Sequence, residues 1–185
     1  MRQPSSFSVD LADEWAVWVL NHRLPDLPND LATAESIPVA FWAGPRFGAV
    51  RRISRFDDDD RSGLDDDVDL FERTGTGWES LGASGCGSWS STPAFRPHVV
   101  ADRVASIEGS VGCVAGEVAC IALELVVGSA AAVIQLNDSD GVSRREIHAP
   151  MGVAVVCTDA TRPAIMRILD RDGATLLEEI VANRK

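Results

Sequence analysis

The apolar positions of this chain keep a helical period only once, near the start. Afterwards they alternate or fall in short blocks between turn residues. Over residues 8–21, Leu11, Trp15, Trp18 and Val19 share one face at helical spacing. Ser8 or Asp10 is placed to cap this helix, Asp13 and Glu14 favour its positive end, and Pro25 stops it. The pattern then predicts two hairpins, at 39–56 and 69–81, turning over Gly44-Pro45 and Thr74-Gly75-Thr76-Gly77. Residues 82–95, mostly Gly, Ser and Ala until Pro93, read as a linker or an ordered Gly-rich turn.

From residue 99 onward the pattern is one short strand after another. Strands are expected at 99–107, 117–127, 131–136, 143–149, 153–157, 164–169 and 174–181. In the second, Ala119, Ile121, Leu123, Leu125 and Val127 form the inward face. Asn137 to Gly141 and Asp170 to Gly173 read as turns rather than ion sites, because each offers few ligands and ends in a glycine. Seven strands at this spacing suit an immunoglobulin-like or transthyretin-like antiparallel β-sandwich. The fold class is therefore α+β, mainly β. An α+β portion spans residues 1–95, and a C-terminal sandwich spans residues 96–185.

In layout the chain resembles small two-part proteins of high-GC bacteria, with a helix and Trp/Gly-rich hairpins followed by a β-sandwich tail. Thr74-Gly75-Thr76-Gly77-Trp78, the segment 82–89 and the segment 170–176 carry the resemblance. It implies a layout, and transfers no function and no site residue.

Charge narrows the partners. The formal net charge is -11, and eight Asp between residues 57 and 69 supply much of it. Such a balance argues against a nucleic-acid backbone or an anionic membrane, and favours a basic protein partner or none. No apolar run is long enough to span a bilayer, and the first ten residues lack the apolar core of a signal peptide. Four scattered cysteines do not make a disulfide framework, so reduced thiols in a cytoplasm are expected.

Three constellations could carry chemistry. The acidic run can be laid on an EF-hand loop, with Asp58, Asp60, Ser62, Asp66 and Asp69 as oxygen ligands and Gly63 at the sharp turn. Asp65 stands where that loop has an apolar residue, and Asp69 reaches a bidentate geometry less easily than Glu. The flanks also read as strands, which favours a solvated, mobile acidic connection. Cys86, between two glycines, could act as a nucleophile with His98 and Asp102 downstream, but nothing in the spacing brings the three together. Trp42, Trp78 and Trp89 lie on or beside hairpins and are candidates for a contact patch.

The expected function is a non-catalytic cytoplasmic protein-binding or regulatory protein with no cofactor. The acidic run would steer a basic partner toward the Trp/Gly-rich hairpins. The alternatives are a small enzyme using Cys86 and His98, and a calcium-responsive module on residues 58–69.

Overall fold

The computed structural model describes residues 2–58, 61–90 and 95–181, with side chains for all of these except residues 9, 58, 61 and 86–90. The described residues are mainly antiparallel β with one short helix. A 3₁₀ turn, Val9–Leu11, leads into α1, Ala12–Asn21. The helix starts later than its pattern suggested, and neither Ser8 nor Asp10 caps it. Leu11 occupies the cap position without a side-chain hydrogen bond. Ser8 Oγ instead accepts from Asp10 N at 3.4 Å within the 3₁₀ turn.

The first sheet is a four-stranded meander of β1 (Ser36–Ala43), β2 (Phe47–Asp58), β3 (Arg61–Thr74) and β4 (Gly77–Ser90). Two expectations are corrected here. The described part of the acidic run is strand rather than loop, because β2 and β3 pair without interruption from Phe47↔Glu72 to Asp58↔Arg61. The Gly/Ser-rich segment is not a linker either. As far as Ser90 it is strand β4, pairing with β3 through a register broken in three places. Glycine and serine bring little side-chain packing to a strand, so backbone pairing with β3 holds this segment in the sheet.

Register sorts the side chains of this sheet into two faces. Val50 and Phe71 lie on the outer face and pack under Trp15, Trp18 and Val19 of α1. Trp15 and Trp18 are both core residues, as their spacing implied. Ala49, Ile53, Leu64, Val68 and Leu70 lie on the inner face, and they belong to a hydrophobic cluster that continues into the C-terminal strands.

Those strands form two further sheets. The second has the order β5 (Ala105–Ala115), β6 (Val118–Val127) and β9 (Val153–Asp159). The third has the order β11 (Thr175–Val181), β10 (Ala164–Asp170), β7 (Ala131–Asp138) and β8 (Gly141–Glu146). Strand β5 begins six residues later than residue 99, where the pattern placed it. The 99–104 segment instead forms a turn, closed by Val104 N to Ala101 O.

Strand β6 is buried on both faces. Leu123, Leu125 and Val127 are buried as expected, and so are Cys120, Ala122, Glu124 and Val126 opposite them. Every residue from Val153 to Thr158 of β9 is also buried. The middle sheet is therefore covered twice. Glu124 approaches Arg51 of β2 on one side, and Thr158 donates to Asp138 of β7 on the other. This produces a layered, sandwich-like stack of helix, sheet, sheet and sheet.

Candidate functional site

The larger of the two described clefts, about 730 Å³, opens where α1, the edge of the first sheet and the β7–β8 hairpin meet. Its volume lies in the range of small-molecule sites. The end of α1 forms one wall, through Leu20 and His22. Strand β1 supplies Phe41 and Trp42, the β3–β4 turn supplies Arg73 and Trp78, and β8 supplies Arg145. Two of the three sequence-predicted contact residues, Trp42 and Trp78, thus come together on one cavity. The side chain of Trp89 is outside the described residues.

Each wall has a local cause. His22 ends the helix by donating from Nδ1 to Trp18 O at 2.8 Å, while its ring stacks on Trp18 with centroids 4.7 Å apart. A carbonyl only accepts, so Nδ1 carries a proton and Nε2 is left facing outward for other contacts. Trp78 follows the tight turn at Gly77, whose φ of 144° suits glycine. Arg73 lies over the Trp78 ring, with Cζ 5.5 Å from its centroid. Gly48 lets this wall close. A β-carbon there would sit 2.9 Å from Leu20 Cδ2 and 3.0 Å from a Trp78 ring carbon. Arg145 ties β8 to β1 by donating from Nη2 to Ala43 O at 2.7 Å. Trp42 is only 1% exposed, and its Nε1 has no hydrogen-bond partner among the described residues.

The charge of the cleft is opposite in sign to that of the chain. Arg23, Arg73 and Arg145 line it against Asp26 and Glu146, with His22 and His148 beside them. None of the three arginines forms an ion pair with a carboxylate of the described residues.

The acidic run is arranged quite differently. Asp66 and Asp69 are not solvated but buried, 5% and 3% exposed. The cause is a pair of arginines on the neighbouring strand. On the inner face, Arg51 Nε lies 3.0 Å from both Asp66 oxygens, and Nη2 lies 2.5 Å from Oδ2. Arg51 also donates to Leu125 O at 3.2 Å and approaches Glu108 at 3.5 Å and Glu124 at 3.8 Å. On the outer face, Arg52 binds Asp69 at 2.9 Å and Asp67 at 3.2 Å. Burial holds the Asp66 carboxyl above the usual carboxylate range despite its hydrogen bonds from Arg51, and nearby Asp67 and Glu108 push the same way. Asp69 is raised for the same first reason, against the pull of Arg52. Ser62 is exposed and pairs with Asp57 across the ladder. The side chain of Asp58 and all of Asp60 lie outside the described residues. Among the described residues, no group of three or more His, Cys, Asp or Glu is arranged to hold a metal ion.

The nucleophile candidates lie elsewhere. Cys86 falls on β4 at a register shift, between Gly85 opposite Asp67 and Gly87 opposite Asp66, and its side chain is not described. His98 and Asp102 both line a second cleft of about 430 Å³. The backbone N of His98 donates to Met151 O, and Asp102 Oδ1 accepts from Ser129 Oγ at 2.8 Å.

Sequence reasoning missed the other three thiols as a group. Register puts Cys113 opposite Cys120, and puts Cys157 on the same face of the second sheet beside them. Cys113 Sγ donates to Leu81 O at 3.0 Å. Burial pushes the Cys157 thiol up, and its hydrogen bond to Cys120 lowers the latter. No helix among the described residues is long and apolar enough to cross a membrane.

No family model, curated protein or solved structure matches this chain.

Proposed function

We propose that this is a non-catalytic cytoplasmic binding protein whose contact site is the cleft between α1, β1 and β8. One observation carries the reading: Phe41 and Trp78, with Trp42 buried behind them, line the larger of the two described clefts beside three arginines that have no ion-pair partner among the described residues. Aromatic walls supply apolar contact area, and unpaired guanidinium groups supply directional donors. Arg51 and Arg52 already engage the carboxylates of Asp66 and Asp69, which favours the binding reading over a calcium module. The second cleft offers a carboxylate that Ser129 already engages, so it supports an enzyme less well.

The test is a screen of neutral and charged fragments by amide and indole chemical-shift perturbation. Shifts concentrated on Trp78, His22 and Arg145 are expected, and Cys86→Ala should leave them unchanged. Shifts concentrated on His98 and Asp102, with turnover of the bound fragment, would overturn the proposal in favour of the enzyme.

A further inference from the structure

Resting on that reading of the cleft, we propose that its ligand is a small planar organic anion, an aromatic carboxylate in the first instance. Three observations converge on this class.

The first is size. A cleft of about 730 Å³ holds one drug-sized molecule, not the many side chains of an extended protein surface.

The second is charge. The protein carries -11 overall, yet this cleft gathers Arg23, Arg73 and Arg145 against two carboxylates. Elsewhere in the molecule, Arg46, Arg51, Arg52 and Arg167 are matched with Asp or Glu. A cleft where guanidinium groups outnumber carboxylates draws anions, and guanidinium geometry suits a carboxylate. A basic ligand would meet repulsion from all three arginines.

The third is shape. Phe41 and Trp78 line the cleft with aromatic rings, and Arg73 Cζ lies over the Trp78 ring, 5.5 Å from its centroid. A planar ring extends that stack, while its carboxylate takes the donors of Arg23 or Arg145. Arg145 keeps donors to spare, since its one described hydrogen bond uses only Nη2. When neutral, His22 offers an acceptor at Nε2 rather than a donor, so it suits a ring substituent that donates.

The experiment uses one ring with three charges: indole-3-acetate, indole-3-acetamide and tryptamine. Each is titrated into the full chain by calorimetry and by Trp78 indole chemical shift. The acetate should bind about tenfold or more tighter than the amide, the worth of a charge-assisted hydrogen bond. Tryptamine should not bind. The acetate's advantage should shrink between about 0.05 and about 0.5 M salt. Arg23→Gln and Arg145→Gln combined should remove that advantage and leave amide binding unchanged, and Trp78→Ala should weaken both ligands.

Equal binding of acetate and amide, or preference for tryptamine, would overturn the anion proposal and leave the binding site standing. Tighter, competitive binding of an Asp/Glu-rich peptide would overturn the small-molecule assignment. If none of the three indoles binds, the anion proposal is wrong. If the full fragment screen also leaves Trp78 unmoved, the binding reading fails with it.

Discussion

The arginines of β2 and the arginines of the cleft are the same residue in opposite circumstances. Arg51 is 2% exposed and surrounded by Asp66, Glu108, Glu124 and a carbonyl. Arg23, Arg73 and Arg145 are exposed and meet no carboxylate partner among the described residues. The first setting uses a guanidinium to join two sheets, and its donors are spoken for. The second leaves donors available to something that is not part of the chain. Burial and partnering, rather than residue type, separate a structural arginine from a recognition arginine.

The sharpest way to break this contrast is Arg51→Met. It leaves Asp66 and Glu124 buried without their cation, so stability should fall by about 3–5 kcal/mol. Urea titration measures it. A loss under about 1 kcal/mol would mean that the interface hydrates cheaply and that Arg51 is no keystone.

Gly48→Ala comes next. Its new methyl group meets Leu20 and Trp78, so the cleft wall must spread, at a cost of about 1–3 kcal/mol for overpacking. Differential scanning calorimetry and the Trp78 indole resonance report the two consequences together. An unchanged resonance with unchanged stability would show that the wall is not held by this close approach.

A smaller effect separates burial from pairing at Asp66. Its carboxyl is raised above the ordinary value of 3.8. Its contribution to stability is therefore complete below the unfolded pKa and is lost as pH rises through the raised folded value. Asn cannot titrate, so Asp66→Asn should become progressively less unfavourable relative to the parent across that interval. Urea titrations at a series of pH values give the trend. The opposite trend would show that pairing with Arg51 outweighs burial.

The smallest expected effect is Arg145→Gln. Its loss removes one exposed hydrogen bond to Ala43 O, so stability should fall by about 1 kcal/mol or less. A larger loss would make it structural, like Arg51, and erase the distinction.

The sequence carried some of this architecture openly. Trp15, Trp18 and Val19 are spaced for one helix face, and they cover Val50 and Phe71. The seven C-terminal strands follow from local alternation between turn residues, with β5 displaced most and β8 by two to three residues. Strand β5 starts late because Gly109, Gly112 and several small polar residues dilute its apolar signal, while Val99 and Val100 mimic a strand. The acidic strand was illegible for a different reason. A run of Asp reads as solvated unless Arg51 and Arg52 are known to lie alongside, and only pairing across strands reveals that. The cleft was legible only in part. Trp42 and Trp78 stood out as aromatic residues near turns. Their companions come from residues as distant as His22 and Arg145, and no local period joins them.

The order of the strands has a consequence for how the chain assembles. Strands β1 to β4 each pair with the next, which follows within a few residues of sequence, so little loop-closure entropy opposes them. Strand β9 pairs with β6 only after β7 and β8 have been passed over, a costlier closure that slows folding. During synthesis the first sheet leaves the ribosome well before its cover exists. Its inner face must then wait in water, where bare apolar strands invite aggregation. Arg51 and Asp66 sit in the middle of that waiting face. Inward-pointing charges disfavour pairing with foreign strands, and this ion pair interrupts a face that is otherwise lined by Ala49, Ile53, Leu64, Val68 and Leu70.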